Sequence, residues 1–243
     1  MGEFIPHLAP VVVLSFLVTL LMAGVSTLLL FYGALRRSTF FAMAGGIACA
    51  GILAGYGLLL CGVSLFSGEK IIAPGGWKYF CEIDCHLAYS VAGTQRAARL
   101  GAELQPVAAR GQFIVVQVKT WFDERTISAH RGNGPLMPNP RRVALVDDLG
   151  RAFALSSEGE RALSRAGTAG TPLSQPLRPG ESYTTTLVFD VPVEARGLRL
   201  LVTAAGWETR LLIGHENSPF HGKVFLGLAP ALGSHTASFP AKS

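Results

Sequence analysis

Residues 9–68 read APVVVLSFLVTLLMAGVSTLLLFYGALRRSTFFAMAGGIACAGILAGYGLLLCGVSLFSG. Residues 9–35 and 38–68 contain no charged side chain, and Arg36 and Arg37 stand between them. Each run exceeds the ~20 residues a helix needs to cross a ~30 Å hydrocarbon layer. Backbone amides have no water partners in lipid, so each run is expected to be helical. A connection as short as residues 36–38 makes the pair an antiparallel hairpin of transmembrane helices, 9–35 and 39–67. Gly24, Ser26 and Gly33 on the first helix are expected to let the backbones approach closely. Ala42, Gly45, Gly46, Ala50, Gly51 and Gly55 supply the same small surface on the second.

The arginine pair sets a direction. Positive loops are retained in the cytoplasm, so the turn is expected inside and both termini outside. Residues 1–8 agree, with one acid and no Lys or Arg. They also lack the basic start and small-residue cleavage site of a signal peptide. The expected location is the cytoplasmic (inner) membrane of a bacterium, with the remainder of the chain outside the cytoplasm.

Beyond residue 68 the composition changes. Setting aside Glu3, Arg36 and Arg37 leaves 19 basic and 15 acidic residues. That surplus is mild and dispersed, unlike the basic stripe a nucleic-acid partner requires. Residues 68–76 read as a linker with a Pro74-Gly75-Gly76 turn, 77–228 as an extracytoplasmic β domain, and 229–243 as a flexible tail. In residues 77–91, Trp77, Tyr79, Cys81, Ile83, Cys85, Leu87, Tyr89 and Val91 occupy every odd position. Apolar residues at period two predict one long half-buried strand, with Lys78, Glu82, Asp84 and His86 on its polar face.

Further strands are predicted over residues 113–122, 142–147, 151–155, 182–191, 198–203, 208–213 and 223–228. Asp148-Leu149-Gly150 joins two of them as a hairpin turn. Residues 94–110, 125–141 and 156–179 read as long connections. Short strands with Gly/Pro turns and little helix predict an all-β immunoglobulin-like sandwich of two sheets.

Four segments resemble the telokin-like immunoglobulin-fold domains of bacterial surface proteins and lipoproteins. They are GQFIVVQVKTWF (111–122), LVDDLGRAFALS (145–156), PLRPGESYTTTLVFDVP (176–192) and LRLLV (198–202). The resemblance covers about residues 111–203 and implies the fold while saying little of chemistry. The two-helix anchor and the strand at 77–91 depart from that family. In architecture the chain also resembles subunit two of cytochrome oxidase, a helix hairpin followed by a sandwich. That family spaces two copper-binding cysteines as Cys81 and Cys85 are spaced. Its acid lies midway and its His four positions after the second Cys, whereas here the acid is Glu82 and position 89 is Tyr89.

Cys81-Glu-Ile-Asp-Cys85-His86 is the most chemical segment. It suggests a copper or zinc site, a redox pair, or a relative of the Cys-x-x-Cys-His haem attachment motif one residue longer. His215 and His221 are candidate further ligands, and imidazole with thiolate or carboxylate suits copper or zinc. An uninterrupted strand weighs against this. It would set residues 81 and 85 about 13 Å apart, too far for a disulfide or a shared metal. Glu82, Asp84 and His86 on one face, aided by His215, Glu216 or His221, form an alternative metal or hydrolytic row. Arg125, His130, Arg131, Arg141 and Arg142 flank a Pro/Gly-rich loop and could hold an anionic ligand, a protein partner or lipid headgroups. No nucleophile elbow, P-loop or dinucleotide motif organises a catalytic set. The expected function is therefore a non-catalytic binding or assembly module, such as an accessory subunit of an envelope complex. Membrane lipid and an envelope protein are its expected partners.

Overall fold

A computed structural model describes residues 9–80, 86–101, 106–127, 130–168 and 170–228. The described chain forms two compact units. One comprises the N-terminal helices with residues 206–223; the other comprises residues 70–205 and the chain from Val224.

In the first unit, α1 (Ala9–Leu35) and α2 (Thr39–Leu65) pack as an antiparallel hairpin. Both are long and apolar enough to cross a membrane, and few of their side chains are buried. Leu28, Phe40 and Leu58, for instance, are exposed. The close approach is narrower than the small residues suggest. A Cβ on Gly33 would sit 2.2 Å from the Ala42 amide, and one on Gly45 would sit 2.5 Å from the Leu30 amide. At Gly24, Gly51 and Gly55 a Cβ would meet nothing within 4 Å, so those glycines are not packing points. Ser26 is buried, and its hydroxyl donates to the Met22 carbonyl. Thr27 Oγ1 lies 3.6 Å from Cys49 Sγ across the hairpin.

The second unit is a β-sandwich. Its five-stranded sheet runs in the order β1 (Lys70–Ile72), β9 (Val224–Gly227), β8 (Arg199–Ala204), β5 (Arg141–Val146), β6 (Ala152–Phe153). Its four-stranded sheet runs β2 (Lys78–Phe80), β3 (Leu87–Leu100), β4 (Val107–Phe122), β7 (Ser182–Val191). The order β3-β4-β7 opposite β5-β8-β9, with β6 beside β5, follows the A-B-E and C-F-G sheets of immunoglobulin-type sandwiches with a C′ strand added. The inward residues Ile114, Val116, Val118, Phe189, Leu145, Leu200, Val202 and Leu226 form the core between the sheets.

Helix α3 (Ser157–Arg165) covers the other face of the four-stranded sheet, packing Ala162 and Leu163 on Phe113, Val115 and Val188. With both faces covered, the FIVV run at 113–116 is continuously apolar instead of alternating. The Ser156 side chain caps α3 by accepting from the Gly159 amide at 3.2 Å, and Glu158 and Glu160 complement its first turn. Gly159 is needed for contact, because a Cβ there would lie 2.4 Å from Val188 Cγ1.

Several sequence expectations are corrected. Lys70–Ile72, expected within the linker, is a strand paired in parallel with β9. Residues 94–110, expected as a connection, mostly extend the β3–β4 hairpin. Residues 156–179 contain α3. The expected strand at 208–213 is replaced by a short 3-10 turn, Trp207–Leu211, in the helical unit. The single strand expected over 77–91 is two strands in its described parts: β2 pairs antiparallel with β3, Phe80 opposite Leu87 and Lys78 opposite Tyr89. Lys78 and Phe80 are consequently the buried positions of β2, and Trp77 and Tyr79 are half-buried.

Candidate functional site

One end of the sandwich gathers the start of β3, the end of β4, the start of β5 and β2. Lys78 is buried there, and its ammonium donates to the carbonyls of Val202 at 2.6 Å and Val224 at 2.7 Å. It thereby ties β2 of one sheet to β8 and β9 of the other. An ammonium offers only donors, and strand-end carbonyls with spare lone pairs are suitable acceptors. Phe80 meets Tyr89 edge-on at 5.2 Å. The Arg141 guanidinium lies 4.1 Å from the Phe80 ring centre, and its Nε donates to the Tyr89 hydroxyl at 3.4 Å.

Beside this, β4 ends at Phe122 and Asp123 caps a 3-10 turn, Glu124–Thr126. Asp123 is buried and multiply bonded. Its Oδ1 accepts from the Arg125 amide and from Arg125 Nε at 2.9 Å, and its Oδ2 accepts from Arg125 Nη2 and the Tyr79 hydroxyl, both at 2.8 Å. The Arg125 side-chain hydrogen bonds hold the Asp123 carboxyl below its ordinary range; burial opposes them and Tyr79 adds to them. Tyr79 moves the other way, raised first by burial and then by its bond to that carboxylate. Arg125 also covers Trp121 at 5.1 Å, and Trp121 packs on Trp77 at 5.2 Å.

His86 is buried against Phe122, with the rings stacked 5.4 Å apart. Its Nδ1 lies 2.6 Å from Thr126 Oγ1, whose own proton goes to the Asp123 carbonyl at 2.8 Å. The hydroxyl has one proton to give, so Nδ1 must be the donor to Thr126. The polar-face position expected for His86 is therefore corrected to a buried, hydrogen-bonded one.

The Pro/Gly-rich loop closes this end. Arg131 covers Phe122 at 4.8 Å and donates to the carbonyls of Gly132 and Gly134. Leu136 and Leu177 exchange backbone hydrogen bonds of 2.9 and 3.1 Å. Met137, next to the pinned Leu136, is left 67% exposed. A cleft of about 740 Å³ adjoins, lined by Thr171, Gln175, Leu177, Glu181, Ser182 and Tyr183 among others. Burial pushes the Tyr183 hydroxyl up to about 12, and it donates to the Leu173 carbonyl at 2.7 Å.

Of the five basic residues picked from sequence, Arg125, Arg131 and Arg141 belong to this end but are engaged by Asp123, loop carbonyls and aromatic rings. Arg142 is exposed on β5 opposite Thr203, and His130 is exposed beside Arg131. The arrangement builds a firm surface in place of a nest of open guanidinium groups. Lys78, Tyr79 and Asp123 were not singled out from sequence; an Asp directly after a strand and two residues before an Arg is the cap signal that marks Asp123.

The metal candidates divide between units. Cys81, Cys85, Glu82 and Asp84 lie outside the described residues. His86 belongs to the sandwich, and His215 and His221 belong to the helical unit. His215 Nδ1 accepts from the Asn217 amide at 3.0 Å, and His221 Nδ1 donates to the Gly222 carbonyl at 2.7 Å. Among the described residues no group of three or more His, Cys, Asp or Glu side chains is placed to hold a metal ion. At the other end of the sandwich a cleft of about 670 Å³ is lined by Arg110, Ser156, Glu158, Asp190 and Glu194 among others. The Asp190 carboxylate accepts there from the amides of Arg110 and Gly111.

The chain matches no protein-family model and no curated protein. Three solved structures are similar to it. A secreted protein of Mycobacterium tuberculosis, MPT63, is 10% identical with a TM-score of 0.40, over 65% of this chain and 97% of that one. A conserved hypothetical protein of Bacillus anthracis is 17% identical with a TM-score of 0.38, over 52% and 85%. An uncharacterised β-sandwich protein of Clostridium difficile is 8% identical with a TM-score of 0.35, over 67% and 96%. The sandwich assignment here rests on the sheets themselves.

Proposed function

We propose that this chain is a membrane-anchored, extracytoplasmic, non-catalytic binding or assembly module, an accessory subunit of a bacterial envelope complex. In this reading α1 and α2 cross the inner membrane, Arg36 and Arg37 remain cytoplasmic, and the sandwich, of telokin-like type, stands outside. A soluble protein would hide the apolar flanks of two such helices, and these are exposed.

The observation that carries the binding role is the loop over residues 130–140. It is pinned by the Leu136–Leu177 bonds and by Arg131, and it displays Met137 to solvent beside a cleft. A loop already fixed loses little conformational freedom on docking, which favours affinity. Exposed Met is a common contact at adaptable protein interfaces.

A photo-crosslinking residue at Met137 in the full chain, expressed in its own membranes, tests this. A discrete adduct is expected from position 137, with none from Leu149, which is exposed on the β5–β6 turn. Equal or absent adducts at both positions would remove the reading's support.

The second reading, a copper, zinc or redox protein using Cys81, Cys85 and His86 with His215 or His221, keeps one observation in its favour. Residues 81–86 connect the paired ends Phe80 and Leu87, so the single-strand argument against a shared site no longer applies. Elemental analysis of the purified chain decides it. Stoichiometric metal lost in a Cys81→Ser, Cys85→Ser variant would establish this reading, and metal-free protein would reject a metal site.

A further inference from the structure

In the helical unit, residues 206–223 lie against α2 at a level well below its end. The Tyr56 hydroxyl donates to the Leu211 carbonyl at 2.6 Å. Tyr56 is about 13 Å short of the α2 terminus at Leu65, at ~1.5 Å per residue. Helical side chains lean toward the helix N-terminus, so this hydroxyl reaches no nearer to the Leu65 end than its own Cα. α2 is about 40 Å long, some 10 Å more than a hydrocarbon layer, which leaves its last turns among lipid headgroups. With that excess at the Leu65 end, a segment held at the level of Tyr56 lies about 3 Å on the acyl side of the headgroup boundary.

Two further observations agree with that level. Non-helical backbone there needs internal partners, and the segment supplies several. The His215 amide and the Ser218 hydroxyl both donate to the Leu212 carbonyl. The segment then returns to the end of α2, where the Gly222 amide donates to Ser67 Oγ at 2.8 Å. The segment also turns aromatic rings outward. Trp207 is 71% and Phe220 74% exposed. Phe220 has φ +64, in the left-handed region that bulky side chains rarely adopt, so its outward ring is held on strained backbone.

We infer that residues 206–223 form a second membrane contact, with Trp207 inserted at the headgroup–acyl boundary of the bilayer that α1 and α2 cross and Phe220 among its headgroups. The inference rests on the membrane-anchored reading above. Glu208 and Arg210, one charge of each sign, are exposed on the same turn and would remain at headgroup level, while Trp207 takes the apolar side. The chain leaves the sandwich after β8 and re-enters it at β9 through this segment, so the lipid contact adds to the tether at residues 66–69.

The test uses the full chain reconstituted in phosphatidylcholine–phosphatidylglycerol vesicles, with Trp77→Phe and Trp121→Phe leaving Trp207 as the reporter. Lipids brominated near the glycerol end of the acyl chain are expected to quench about half of the Trp207 emission, and terminally brominated lipids much less, with a blue-shifted spectrum. If the double replacement unfolds the sandwich, the difference between the native chain and its Trp207→Phe variant gives the same reading. Vesicle flotation and resistance to alkaline extraction separate the two claims. A chain that floats and resists extraction but shows red, unquenched Trp207 emission overturns the second contact while leaving the anchor, and would assign the ring to a protein partner. A chain that does not float overturns both.

Discussion

Replacing Lys78 with Met tests the clamp between the two sheets. Met has nearly the length of Lys and lacks its charge, so no large cavity opens. Two opposing terms decide the sign. The native chain keeps an ammonium out of water, an effective cost of several kcal/mol that Met removes. Against that, two charge-assisted bonds of about 1.5–3 kcal/mol each are lost, and the Val202 and Val224 carbonyls at a buried junction lose this donor. Removing one member of a buried polar set usually costs more than its desolvation relieves, so the expected result is a net loss of about 2–4 kcal/mol. For a domain of this size that lowers the melting temperature by about 5–15 °C. Near-ultraviolet circular dichroism of the full chain in mild detergent reads it, because the Trp77–Trp121 pair adjoins Lys78. A Lys78→Met chain as stable as the native one would refute the clamp and show the buried charge to be merely tolerated.

Gly45→Leu should disrupt the helix hairpin, since its Cβ would lie 2.5 Å from backbone, whereas Gly51→Leu should be tolerated; thermal stability of the detergent-solubilised chain distinguishes them. Burial pushes Asp147 upward, but the Arg151 side chain and the amides of Arg151 and Leu149 outweigh it, so its folded pKa is lowered. Its contribution is thus present above the ordinary carboxylate pKa of about 4 and is lost as pH falls through the lower folded value. Asp147→Asn should be less stable at neutral pH and should show a flatter acid decline, and equal acid slopes in urea titrations would count against the argument.

The elements that were legible in the sequence share a physical feature: their burial pattern is complete within one local run. The helix spans have no charge for 27 residues each. Strand β7 begins and ends where alternation predicts, at Ser182 and Val191, because one face meets the core along its whole length. The 77–91 segment misled for a reason of parity. The core-facing set changes from even at Phe80 to odd at Leu87, Tyr89 and Val91, and half-buried Trp77 and Tyr79 made the odd set look continuous. That shift hid Lys78, whereas His86 keeps the even parity expected of it and is buried together with Ala88 and Ser90. Helix α3 was obscured by Gly159, which lowers helix propensity but makes room for Val188. Its Ser156 cap, acidic first turn and Gly167 terminus were the signals that pointed to it. The engagement of Arg141 was beyond sequence reasoning, because its aromatic partner Phe80 is distant in the chain and belongs to the other sheet.

In the proposed topology the arginine turn faces the cytosol and the sandwich faces outward across two lipid-spanning helices. Single cysteines placed at Ser38 or Met137, with Cys49, Cys61, Cys81 and Cys85 replaced by Ser, can be probed in intact spheroplasts with a membrane-impermeant maleimide. Labelling of position 137 in intact spheroplasts, and of position 38 only after permeabilisation, is the predicted result. Labelling of position 38 first, or of both positions before permeabilisation, would contradict it.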